Sequence, residues 1–153
     1  MDLDPGTAEV LGVVEDVAKQ PVQEGRARIT VELPDGVGGL YISLTPTNAR
    51  ACPVSLAADC PPQIDMFLGP EPTAASYEFW QDDRPENLTR LHELLEAVVA
   101  GRYEQTIETH KRNRITVAGY FALAGGDHRH SVATMASAAV EPGLTYTLRF
   151  EPY

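Results

Sequence analysis

The amino-acid sequence predicts a single α+β domain over residues 1–153: a mainly antiparallel sheet of about six to seven strands with two helices packed on it. Three observations carry this prediction. Short runs alternate apolar and polar residues, Leu88, Leu91, Leu95 and Val98 recur at helical spacing, and turns bearing glycine or proline separate the segments. Composition agrees. With 43% hydrophobic and 22% charged residues, the chain has the balance of a globular protein. A domain of this size buries roughly 68–70% of its unfolded surface, enough for a core without disulfide staples.

Asp4 followed by Pro5 is a helix start, and Val10, Val14 and Val17 then recur at helical spacing, so a first helix is expected to about Gln20 with Pro21 closing it. From 26 to 33 the residues alternate, Ala27, Ile29, Val31 and Leu33 against Arg26, Arg28, Thr30 and Glu32, as in a strand wet on one side. Pro34-Asp35-Gly36 is turn chemistry, and Leu40, Ile42 and Leu44 alternate again, which predicts an antiparallel hairpin. Between Thr45 and Gln63 the pattern dissolves into prolines and both cysteines. A long connection is expected there, in which Cys52 to Leu56 could add one short strand confined by Pro53 to an edge.

Ile64 to Leu68 and Tyr77 to Trp80 read as a second hairpin, and Asp83 with Glu86 three residues later marks the start of a second helix that Gly101 stops. The rest reads as a meander. Tyr103 to Thr109 and Ile115 to Leu123 form one hairpin, a less distinct strand follows near Val132 to Met135, and Leu144 to Phe150 closes the sheet as a candidate edge strand for self-association.

Twenty-two acids against twelve bases give a formal net charge of -10. Such a surface repels phosphate backbones and anionic lipid, so neither nucleic acid nor a membrane is an expected partner, whereas a basic protein is. No run approaches the roughly 18 apolar residues of a membrane span, and the first residues lack the basic and apolar regions of a secretory leader, so a cytoplasmic location is expected. Cys52 and Cys60 are then expected to be free thiols.

The search for chemistry yields few candidates. His128 and His130, one residue apart on a strand, project to one face and could converge on a metal ion, though a solvated turn after Gly125-Gly126 is the commoner meaning of such a pair. His92-Glu93-Leu94-Leu95-Glu96 departs from the zinc-protease pattern H-E-x-x-H at its last position and reads as a surface pair of His92 and Glu96. Pro53 and Pro61 follow the cysteines and offer no base to activate them; no serine elbow, phosphate loop or dinucleotide fingerprint is present. No cofactor is expected.

Two groups remain as candidate partner contacts: Trp80 beside Asp82 and Asp83, and the basic run Lys111, Arg112 and Arg114. The reading that follows is a non-catalytic binding or regulatory protein, such as an inhibitor or immunity-type partner of a basic protein. The alternatives are a small metal-dependent enzyme using His128 and His130, or an α+β domain that binds a small molecule between helix and sheet.

Overall fold

The computed structural model describes residues 3, 5–33, 40–58, 63–70, 74–80, 84–110, 113–131 and 144–153. Among these the order of elements is α1 (Pro5–Gln23), β1 (Ala27–Glu32), β2 (Leu40–Pro46), β3 (Val54–Ala58), β4 (Gln63–Leu68), β5 (Ala75–Trp80), α2 (Arg84–Val99), β6 (Tyr103–His110), β7 (Asn113–Phe121), β8 (His128–Ser131) and β9 (Leu144–Arg149). The α+β class and the antiparallel pairing are as the alternation implies. The strands divide between two sheets, a five-stranded meander in the order β1-β2-β3-β4-β5 and a four-stranded sheet in the order β8-β7-β6-β9. The expected strand near Val132 to Met135 lies outside the described residues.

Helix α1 runs one turn past its expected end, because Pro21 occupies the last turn and is buried there with Val10, Val14 and Ala18. Both helices then stop in the same way. Gly25 and Gly101 have φ of 69° and 72°. The amides of Arg26 and Arg102 bond back to Pro21 and Ala97 at 2.7 Å each. This is the Schellman arrangement, in which a left-handed glycine lets the chain satisfy the last helical carbonyls. The apolar stripe of α2 packs inward through Leu91, Leu94, Leu95, Ala97 and Val98, all with no exposed surface.

Strand β3 is the main departure from expectation. It lies at the centre of the five-stranded sheet, with Leu56 paired to Ile42 on one side and to Met66 on the other. Pro53 does not confine it to an edge, because the proline stands just before Val54 and so no ladder bond is asked of its nitrogen. Leu40, Ile42, Leu44, Val54, Leu56, Ala58, Ile64, Met66 and Leu68 form the inner face. Helix α1 covers β1 and β2 and packs on α2, which in turn reaches β5 and β7 and so joins the two sheets in one core. His92 pairs with Glu96 at 3.6 Å as expected, and with Asp16 of α1 at 3.0 Å, tying the helices at their surface.

Residues 150–153 thread back through this junction. Glu151 bridges in parallel to Ala51 and bonds through its amide to the Arg50 carbonyl at 2.9 Å, while the Tyr153 amide donates to the Val99 carbonyl at 3.0 Å. The Tyr153 hydroxyl donates to the Cys52 carbonyl, and the Arg26 guanidinium donates to the main-chain oxygen of Tyr153. One short segment thereby touches the ends of both helices and the approach to β3.

Gly101 sits against that segment: a Cβ there would lie 2.6 Å from the Pro152 nitrogen, whereas at Gly25 it would meet nothing within 4 Å. Gly25→Ala is therefore expected to cost only the left-handed backbone penalty, about 1 kcal/mol, and Gly101→Ala at least about twice that, since main chain must shift as well. Urea unfolding of the two variants checks the order; equal losses would show that residues 150–153 bear no load at the turn.

Candidate functional site

Of the residues singled out in the sequence, only some fall among those the structure describes. Trp80 closes β5, with Gln63 opposite it in register; its side chain, together with Asp82, Asp83, Lys111, Arg112 and Cys60, lies outside what the structure describes. Arg114 is exposed near the start of β7, in register with Thr109. Cys52 is free and has no exposed surface; burial pushes its thiol well above the usual range. A thiol held in that state is a core residue rather than a nucleophile.

His128 and His130 are brought together. In register they face Phe121 and Gly119, so both imidazoles stand on the inner side of the four-stranded sheet beside Tyr103 and Gln105. The ring of His130 lies 5.5 Å from Phe121 and 6.1 Å from Tyr103 between centroids. Space for it exists only because residue 119 is glycine: a Cβ there would fall 2.0 Å from His130 Nε2. Gln105 donates to the Leu68 carbonyl at 2.7 Å, which links the two sheets, and to the Tyr103 hydroxyl at 3.2 Å. That donation leaves the Tyr103 proton for His130 Nε2, 3.4 Å away, and the arrangement suits a neutral imidazole protonated on Nδ1.

Burial sets the electrostatics here. It lowers the pKa of His130 to about 4, with the charge of nearby His128 adding to the effect, and lowers that of His128 with help from Arg90. Burial also raises the Tyr103 hydroxyl well above its ordinary value. Gln105 Oε1, enclosed with the rest of its side chain, has no hydrogen-bond partner among the described residues, a desolvation cost of roughly 1–3 kcal/mol. Among the described residues no third His, Cys, Asp or Glu joins the two histidines in a group able to hold a metal ion. What this arrangement does is join sheets.

Outside it, a cleft of about 330 Å³ opens between α2 and the β7–β8 turn, lined by Arg90, Glu93, Leu123, Gly125, Gly126, Asp127 and His128. Its wall is polar. Arg90 pairs with Glu93 at 3.3 Å and Asp127 accepts from the Tyr120 hydroxyl, so the charged groups are already engaged with one another.

The outer face of the five-stranded sheet holds a second concavity that the sequence reading passed over. A cleft of about 450 Å³ is lined by Tyr41, Pro53, Ser55, Phe67, Gly69, Pro70 and Ala74. The strand registers explain its shape. Ser55 is opposite Ser43 and Phe67, and Ala57 is opposite Tyr41 and Asp65, so the outward side chains of β3 are small while aromatic residues stand on the strands to either side. Glu32 on β1 lies opposite Tyr41 and adds an exposed carboxylate. The signal was present in the sequence as Ser55 and Ala57 alternating with Val54, Leu56 and Ala58, but it becomes a trough only once β3 is central.

No protein-family model matches the chain, and comparison with curated proteins and with solved structures found no match.

The depressed His130 value has a consequence for stability. An ordinary histidine near 6.5 takes up a proton in the unfolded chain before His130 does in the folded one. Stability is thus complete above about pH 6.5 and falls as pH drops toward 4, by on the order of 2 kcal/mol after allowance for partial solvent access. NMR titration should place the His130 imidazole near 4, and His130→Gln should flatten the stability profile across that window. A titration at an ordinary histidine value would overturn the burial argument.

Proposed function

We propose that this chain is a non-catalytic binding protein, a small regulator or inhibitor, whose partner is a basic protein met on the outer face of the five-stranded sheet. The observation that carries the reading is the outer face over β3, where Tyr41, Ser55 and Phe67 line a cleft and the registers put Asp65 and Glu32 on the same face, outside the cleft's own lining. Aromatic residues anchor interfaces because they bring large contact area at little conformational cost. The net charge of -10 adds a long-range attraction for cations that speeds encounter and selects the partner.

The interior argues in the same direction. The Cys52 thiol and the Tyr103 hydroxyl are both pushed up by burial, and His130 is held neutral within the sheet junction. These groups stabilise, and contact with other molecules falls to the surface. Among the described residues no helix is long and apolar enough to cross a membrane. A free buried thiol suits the reducing cytoplasm, where we place the protein.

Fluorescence anisotropy with an arginine-rich peptide and its neutral counterpart tests the reading at about 0.15 M salt. Glu32→Gln with Asp65→Asn removes two charges from the face; Glu15→Gln with Glu86→Gln removes two from exposed helix positions. The face variant is expected to lose roughly fivefold in affinity and the helix variant less than about twofold. Equal losses would reduce the attraction to net charge alone and sink the proposal.

A further inference from the structure

The trough has a more particular geometry than an acidic, aromatic face requires. On β2 the outward residues are Tyr41 and Ser43; on β4 they are Asp65 and Phe67; and between them β3 presents Ser55 and Ala57. The four flanking residues stand at the corners of a rectangle, roughly 10 Å across two strand spacings and 7 Å along the strands. Its diagonals differ in chemistry. One joins Tyr41 to Phe67, the other Ser43 to Asp65, and all four are half-buried rather than splayed into solvent.

We infer that this rectangle is a receptor for one arginine side chain of the partner, a proposal that rests on the binding-protein reading above and names its central contact. A guanidinium seated over Ser55 and Ala57 lies about 6 Å from the residues at either end of the aromatic diagonal, the range in which a cation is attracted to a ring face. Its plane can stack on the rings, and its edge presents a fork of N–H donors to the Asp65 carboxylate, with the Ser43 hydroxyl as a further acceptor. The small floor admits that flat group; a larger residue at 55 or 57 would fill it. Lysine offers a compact and strongly hydrated charge with no plane to stack, so the slot favours arginine. Pro53 and Pro70 wall the cleft beyond Ser55 and leave room for the aliphatic stem of the side chain.

The probe is the capped tripeptide acetyl-Gly-Arg-Gly-amide, followed by two-dimensional NMR. Its counterparts carry citrulline, which keeps the shape and loses the charge, or lysine. The expected result is shifts centred on Tyr41, Ser55 and Phe67, with citrulline and lysine each weaker by roughly fivefold or more. The charge-preserving pair Tyr41→Ala and Phe67→Ala should abolish these shifts, as should Asp65→Asn alone. None of these side chains belongs to the inner core, and unchanged resonances from the helices report that each variant folds. Shifts centred elsewhere, equal response to citrulline, or no response at the highest soluble peptide concentration would overturn the slot. If the longer arginine-rich peptide still depends on Glu32 and Asp65 in that event, the basic-partner reading stands without it; if that dependence also fails, both fall.

Discussion

Tyr153 is the constraint through which the two halves of this protein are held in place. Its amide binds the end of α2, its hydroxyl binds the carbonyl of Cys52 just ahead of β3, and its main-chain oxygen receives Arg26 beyond the end of α1. Three residues earlier Phe150 stacks on Tyr103 of β6 at 5.8 Å with the rings nearly parallel. A buried aromatic of this size contributes several kcal/mol through packing alone. Here it also fixes where the four-stranded sheet meets the five-stranded one. The Gln105 bond to Leu68 and the packing of His130 over Gly119 presuppose that placement.

The legible parts of the fold were those that depend on neighbours in sequence. Helix α2 could be read from Leu88 to Gly101 because capping, periodicity and stop lie within one segment, and the β1–β2, β4–β5 and β6–β7 hairpins because each pair of alternating runs is joined by a short connection. What could not be read was long-range pairing. No local pattern states that β3 inserts between β2 and β4, or that the strands fall into two sheets joined through α2. The closing segment was equally opaque: Glu151, Pro152 and Tyr153 carry no periodicity, and their importance comes from partners near Arg26, Arg50 and Val99.

The candidate sites divided along the same line. Strand alternation put His128 and His130 on one face, opposite Phe121 and Gly119 in register, but it could not say that this face turns inward. A pair of imidazoles at the surface invites a metal; the same pair against Phe121 and Tyr103 is held neutral and packs as two aromatic rings. The stretch from Thr45 to Gln63 reads as a long connection of prolines and cysteines, so the alternation of Ser55 and Ala57 with Val54, Leu56 and Ala58 passes unnoticed in it. Small side chains register as weak signals in a sequence, yet on a central strand between aromatic neighbours they leave room for a depression in the outer face.

The proposed placing of recognition on an outer sheet face would have a physical merit that a loop site lacks. Backbone pairing on both sides of β3 holds the flanking strands at fixed spacing, so Tyr41, Ser43, Asp65 and Phe67 keep their mutual positions before any ligand arrives. Affinity at an exposed surface is limited chiefly by the ordering of side chains and by incomplete removal of water. A half-buried rectangle would reduce the first cost, since side chains already partly confined on paired strands have less freedom to lose. The inner face makes this possible. Leu56 and its neighbours form the inner face with almost no exposed surface, and that burial together with pairing to β2 and β4 fixes which side of β3 faces outward.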